Sequence, residues 1–205
     1  MKIRFLAPLG LLVLAASGLA QQPKPTIVAE GGGVNDYGST RVLYWNTKSD
    51  SSAGQFAINY GRPGWKKDYE DPAKFDPMTK GKVWRMGKNF WTSLDTCLPL
   101  KIAGKSVAPG YYYLGLQRSP DGAAWSLAFI DPAKVRSAHG DAFEIQKAKV
   151  EFTAPMTAAK AEGETEAQKL TITFSYGKKN PRKVTLKVAW GNLALTAPIE
   201  ATVPE

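Results

Sequence analysis

The chain has 205 residues with 27 Lys and Arg against 18 Asp and Glu, a net charge of +9, one histidine and one cysteine. The single Cys97 excludes an internal disulfide, and the single His139 leaves histidine-rich metal sites and Ser-His-Asp constellations little to be built from. The positive balance favours anionic surfaces such as lipid head groups or acidic polysaccharide; no nucleic-acid recognition motif accompanies it, and with the export signal at residues 1–20 no nucleic-acid partner is expected.

Residues 1–20 read as a secretory signal. Lys2 and Arg4 form a basic start, 5–16 an apolar stretch, and Gly18-Leu-Ala20 supplies small residues for cleavage. The apolar stretch is short and broken by Pro8 and Gly10, which disfavours a membrane span. The expected protein is exported, periplasmic or extracellular, with no transmembrane segment in the mature chain. Cleavage would remove two cations and no acid, taking the charge from +9 to +7. Most of that charge is dispersed, with small clusters at Lys66-Lys67 and at Lys178-Lys179 near Arg182-Lys183. Residues 21–38, containing Gly31-Gly-Gly33, read as a flexible leader. Residues 39–205 are long enough for one domain with its own core.

Within that domain, period-two alternation dominates. Strands are expected at 41–46, at 55–60 with Phe56, Ile58 and Tyr60 on one face, and at 82–86. Others follow at 90–97, 111–118 and 124–130, the last with Trp125, Leu127 and Phe129 aligned. Cys97, between Thr96 and Leu98, reads as a small buried hydrophobe. Asp131 as N-cap, Pro132 at the first turn and Gly140 as a stop predict one short helix, with His139 in its last turn. A strand is expected at 145–153, and the polar stretch 157–168 reads as a mobile loop or frayed helix. Leu170, Ile172, Phe174 and Tyr176 alternate with polar neighbours, as do Val184, Leu186, Val188 and Trp190. Between them Gly177-Lys-Lys-Asn-Pro-Arg182 reads as a hairpin connection. A last strand falls at 193–199. The fold class is all-β, mainly antiparallel, a β-sandwich or jelly-roll-like domain with one short helix.

Chemistry is concentrated at strand ends. Arg62 leaves a strand and precedes Pro63; Arg85 alternates with Trp84, so the two side chains point to opposite faces. Gly87 and Asn89 permit a tight turn toward Phe90 and Trp91. Tyr60, Arg62, Trp84, Arg85 and Asn89 are therefore the candidate ligand-binding group. Two guanidiniums, an amide and aromatic faces can hold a carboxylate, a phosphate or a sugar through forked hydrogen bonds and stacking. The same arginines can instead tie loops together through backbone carbonyls or an acid such as Asp95. In Tyr111-Tyr112-Tyr113 the middle ring faces opposite to its neighbours, which suits a core edge or a carbohydrate-stacking platform. Asp68, Glu70, Asp71 and Asp76 could serve a hydrolase only if two of them faced one substrate with one pKa raised. They lie in a hydrophilic stretch where Asp71-Pro72 and Asp76-Pro77 are turn starters, and their spacing matches no calcium loop.

The segments Tyr60-Gly-Arg62-Pro63, Lys82-Val-Trp84-Arg85-Met-Gly87-Lys-Asn89 and Gly104-Lys-Ser-Val-Ala-Pro-Gly110-Tyr-Tyr112 together resemble a family of secreted bacterial proteins, domain of unknown function 2911. The resemblance covers 56–129 well. It implies a Tyr-x-Arg-Pro strand end and a Lys-Val-Trp-Arg-x-Gly-x-Asn segment, and it implies no reaction. Two departures stand out. An acidic insertion beginning at Lys67-Asp68 replaces the family's Gly-Arg, and Phe90-Trp91-Thr92 replaces its Glu-Ala-Thr. Catalysis resting on that glutamate would be lost, whereas an aromatic binding surface would be strengthened. The expected function is non-catalytic binding of a small polar, anionic or carbohydrate ligand or of an envelope partner, without a cofactor. A cell-envelope hydrolase using the 68–76 carboxylates and a structural or protein-interaction module are the alternatives. The oligomeric state stays open.

Overall fold

The computed structural model describes residues 27–159 and 167–204. The expected signal 1–20, the first part of the leader and the centre of the 157–168 stretch lie outside the described residues. All strands belong to the compact unit that begins at Val34; residues 27–33 belong to the preceding unit and form no helix or strand.

Strands β1 (Tyr37–Asn46) and β2 (Ser51–Gly61) form a hairpin, followed by β3 (Val83–Trp84), β4 (Thr92–Thr96), β5 (Leu100–Ile102) and β6 (Lys105–Val107). Then come β7 (Gly110–Arg118), β8 (Trp125–Ile130), β9 (Val150–Ala158), β10 (Ala167–Gly177), β11 (Asn180–Gly191) and β12 (Leu193–Ala201). Every pairing between these strands is antiparallel, and the main path runs β1-β2-β4-β7-β8-β9-β12-β11-β10. The mainly antiparallel β architecture is the one that alternation predicts.

The path folds back so that its two ends share a core. Phe56 of β2 meets Phe174 of β10 edge to face at 4.9 Å. Just beyond β2, Gly64 pairs with Lys169, and the Leu170 amide donates to the Pro63 carbonyl at 3.0 Å. Inward residues of nearly every strand are buried in one cluster that includes Phe56, Ile58, Leu114, Leu127, Phe129, Leu186 and Val188. A second, smaller cluster covers part of the outer face of the first half, where Ile130, Val135 and Ile145 pack with Val83, Trp91 and Tyr113. Gly115 makes that possible. A Cβ there would meet Val83 at 2.7 Å and Ile145 at 2.9 Å, so only glycine lets the covering segment approach the sheet. Among the described residues no helix is long and apolar enough to cross a membrane.

Five expectations are corrected. There are two α-helices among the described residues, α1 (Pro72–Thr79) and α2 (Pro132–Ser137), instead of one. Helix α1 occupies the stretch read as an acidic loop, and it starts as α2 does. Asp71 accepts from the Ala73 amide at 2.9 Å with proline in the first turn, and Asp131 accepts from Ala133 at 2.8 Å. The expected 145–153 strand begins only at Val150, because Asp141 caps a 3-10 segment, Ala142–Lys147, by accepting from Phe143 at 2.8 Å. His139 lies beyond the end of α2 in a left-handed conformation, φ 53°, and is exposed. Cys97 is also exposed, since Thr96 and Leu98 take the inward positions and alternation turns the residue between them outward. Strand β1 opens at Tyr37, four positions before the expected start at 41, and the Arg62 amide donates to the Asp36 carbonyl at 3.0 Å.

Candidate functional site

Two of the five residues marked as a ligand-binding group face the core. Tyr60 is buried, and its hydroxyl accepts from the Ile172 amide at 2.9 Å, joining β2 to β10. Trp84 stacks on Trp190 at 4.7 Å and 14°, and the Trp190 indole N–H donates to the Pro63 carbonyl at 3.0 Å. Trp65 and Tyr69 close on the same ring at 5.0 and 5.2 Å. The Arg-Pro and Val-Trp segments thus meet through Trp190.

The other three lie nearer the surface. Arg62 donates through Nε to the Leu170 carbonyl at 3.3 Å, and its guanidinium is 4.0 Å from the Asp36 carboxylate. Asp36 also takes Lys169 at 2.7 Å, and that hydrogen bond, opposed by some desolvation and helped by the Arg62 charge, holds its carboxyl below the usual range. Asn89 adopts a left-handed conformation, φ 66°, which asparagine tolerates, and its side-chain amide donates to Asn35. Arg62 and Asn89 are therefore both tied to the 35–36 segment. Arg85 packs its guanidinium 5.7 Å from the ring of Phe143 in the 3-10 segment.

The aromatic residues assemble more fully than the arginines do. Outward positions of β1 and β7 and the turn before β4 carry a run of rings. Trp91 stacks on Tyr113 at 4.8 Å and 12°, Tyr113 meets Tyr111 edge-on at 5.9 Å, and Tyr37 meets Phe90 edge-on at 5.7 Å. Burial raises the Tyr37 hydroxyl pKa, and the neighbouring Tyr111 hydroxyl adds to the effect. Above the pair Tyr111 and Tyr113 the Arg136 guanidinium sits 5.8 Å from each ring centre. Tyr37, Phe90 and Tyr111 are 47, 45 and 43% exposed, so each leaves ring surface open to a ligand. Register places Asp95 beside Tyr111, and Asn59 beside Ser93, which in turn lies opposite Tyr113. Polar groups therefore share the face with the rings. Tyr112 turns to the other side, where its hydroxyl donates to the Ala108 carbonyl at 3.0 Å and its ring meets Phe129 and Phe152 edge-on.

Sequence reasoning missed Tyr37 and Arg136, and noted Phe90 and Trp91 as aromatics beside the Asn89 turn and as a departure from the family pattern without placing them in the candidate group. Tyr37 could have been found, because Tyr37, Ser39, Arg41 and Leu43 alternate with the buried Val42 and Tyr44 phase. Arg136 reaches the rings only through the path of α2, which no local pattern encodes.

Beside this face lies a cavity of about 390 Å³ bordered by Trp91, Ile130, Val135, Lys134, Glu144 and Lys147. Its charges neutralise one another: Lys134 pairs with Glu151 at 2.6 Å, and Lys147 pairs with Glu144.

Three of the four 68–76 carboxylates have structural partners. Asp71 caps α1, Asp68 pairs with Lys74 at 3.0 Å, and Asp76 receives Lys80 at 2.8 Å and Arg118 at 2.6 Å. The Lys80 hydrogen bond, then that of Arg118, lowers the Asp76 pKa from its ordinary 3.8, the opposite of what a general acid needs. The linkage follows in sign. The unfolded chain protonates Asp76 before the folded one does, so its stabilising effect is complete above about pH 4 and is lost as pH falls through the lower folded value. Asp76→Asn is expected to flatten the urea midpoint against pH below pH 4; an unchanged slope would show that the ion pairs contribute nothing. Among the described residues no three His, Cys, Asp or Glu side chains gather as a metal-binding group.

The family model described as "Protein of unknown function (DUF2911)" matches residues 46–199, and the chain belongs to that family. The match extends past the motif segments to the last strand, and so takes in Trp190, on which those segments converge. No curated protein and no solved structure matches the chain.

Proposed function

We propose that this member of the DUF2911 family is an exported, non-catalytic binding domain that holds a saccharide on the face made by Tyr37, Phe90, Trp91, Tyr111 and Tyr113. The observation that carries the reading is the grouping of three half-exposed rings with a stacked Trp-Tyr pair, an arginine and an outward aspartate on one sheet face. Sugar rings present apolar C–H faces and hydroxyl rims. Flat aromatic side chains take the first, while Asp95 and Arg136 are suited to the second. Of the residues first marked, Asn89 remains close to this face as the neighbour of Phe90. Tyr60 and Trp84 support it from the core, and Arg62 through Asp36, the neighbour of Tyr37. Export is inferred from residues 1–20. The hydrolase alternative is less well supported, since Asp68, Asp71 and Asp76 each hold a structural partner.

Titration calorimetry of the full chain with cellohexaose, chitohexaose and xylohexaose tests the reading. Saturable binding to at least one of them is expected, weakened tenfold or more, about 1.4 kcal/mol, by Tyr111→Ala combined with Phe90→Ala. Both substitutions remove half-exposed rings, so folding should persist. No binding by any of the three, or equal binding by the double variant, would sink the proposal.

A further inference from the structure

We propose that a second groove, at the open mouth of the core between β1 and the β10–β11 hairpin, binds an acidic polysaccharide chain. This proposal does not rest on the aromatic face of β4 and β7. The groove has a volume of about 580 Å³, within the ordinary range for ligand sites. Its floor is apolar, with Val42, Tyr44 and Ala53, and its sides carry Trp45 and Tyr176.

The mouth is open for a reason legible in the alternation. Leu170, Ile172, Phe174 and Tyr176 all point inward from β10. The first two are buried and Phe174 is half-buried, whereas Tyr176 is 52% exposed, as is Trp45 across the groove. The Tyr44 hydroxyl donates to the Pro181 carbonyl at 2.9 Å and holds the turn end of the hairpin at a fixed distance from β1. Burial raises the Tyr44 pKa, so the hydroxyl stays a donor. The Trp45 indole N–H is bonded to Asp50 at 3.1 Å, which leaves its ring face as the surface on offer.

Charge decides the occupant. Lys48 and Arg182 line the groove, and Lys178-Lys179 form the turn next to Tyr176. Arg182 shares the inward face of Val184 and Leu186, while Lys183 lies on the outer face opposite Glu200. Among the described residues, none of Lys48, Lys178, Lys179 and Arg182 is in a salt bridge, although Lys74, Lys80, Lys134, Lys147 and Lys169 all are. Four cations without an ion-pair partner among the described residues, against the one nearby carboxylate of Asp50 that Trp45 holds, repel one another and attract a polyanion. A lone phosphate would use the cations and leave the rings and apolar floor empty. A bilayer needs apolar groups that project, and this floor is recessed. A chain of uronate rings supplies repeated carboxylates for the cations and C–H faces for Trp45 and Tyr176.

Affinity electrophoresis of the full chain in gels containing polygalacturonate, uncharged dextran or no polymer is the test, with flotation on phosphatidylglycerol vesicles alongside. Retardation by polygalacturonate alone is expected, weakening as salt is raised. Lys48→Ala with Arg182→Ala should weaken it at least tenfold, as should Trp45→Ala or Tyr176→Ala at constant salt. Phe90→Ala with Tyr111→Ala should leave it unchanged, which separates this site from the one proposed above. Retardation that survives the ring substitutions would reduce the effect to dispersed charge and overturn the proposal. So would tighter binding to vesicles than to polymer that depends on the same four residues, since the surface would then be a lipid contact.

Discussion

Trp190→Ala is expected to lower the unfolding free energy by about 3–5 kcal/mol, the range for removing a large buried aromatic. The side chain is buried and has four distinct partners. It stacks on Trp84, meets Trp65 edge-on at 5.0 Å and Tyr69 in a tilted contact at 5.2 Å, and donates to the Pro63 carbonyl at 3.0 Å. Removing it leaves a cavity between the Arg-Pro and Val-Trp segments and strips a donor from the carbonyl of Pro63, the residue that links β2 to β10. The hydrogen bond is the smaller part, about 1 kcal/mol. Trp190→Phe, which keeps an aromatic ring and loses only the N–H and part of the volume, should therefore recover more than half of the loss. Urea unfolding followed by far-UV circular dichroism reads both. A loss under about 1 kcal/mol for Trp190→Ala would mean that these segments are held by main-chain pairing alone, and that the motif is not organised around this ring.

The strand content was readable because its signal is local. Phe56, Ile58 and Tyr60, or Trp125, Leu127 and Phe129, declare an inward face by spacing two, and all six are buried. The helix that was missed was no less local. Asp71-Pro72 carries the same capping signal as Asp131-Pro132, but Pro77 and the surrounding charges argued for a loop, and α1 keeps few apolar residues to show a face. What gave it a place is tertiary: Phe75 packs on Trp65 at 6.0 Å, and Arg118 from β7 binds Asp76. The candidate site divides the same way. Alternation correctly split Tyr112 from Tyr111 and Tyr113, and Phe90-Trp91 was visible as an aromatic departure. Their meeting with Tyr37 depends on β1 pairing with β2, and their meeting with Arg136 on a helix that crosses outside the sheet. Arg62 and Arg85 looked alike in sequence, as charged residues at strand ends. In the fold one bonds the Leu170 carbonyl and the other lies over Phe143. No pattern within either segment specifies those partners.

Gly61→Ala is the substitution expected to couple the scaffold to the binding face, at a cost of about 3 kcal/mol, the upper end for overpacking. A Cβ at this position would lie 2.0 Å from the Lys88 carbonyl oxygen. That oxygen belongs to main chain and cannot rotate away; it also accepts from the Phe90 amide at 2.8 Å. The turn is anchored from its other side, where the Thr92 hydroxyl donates to the Met86 carbonyl at 2.5 Å. The added methyl must therefore push the whole 86–90 turn off β2, carrying Asn89 from Asn35 and Phe90 from Tyr37. Gly104→Ala provides the contrast. Its φ of +83° makes alanine strained, yet nothing lies within 4 Å of the new Cβ, so only the backbone term of about 1–2 kcal/mol applies. Urea midpoints of the two variants, with amide shifts of Phe90 and Tyr37 by NMR, give the comparison. If Gly61→Ala were no less stable than Gly104→Ala, or if the Phe90 and Tyr37 amides did not move, the turn would be free of β2. Glycine at position 61 would then have no packing reason, and the aromatic face would owe its arrangement to β4 and β7 alone.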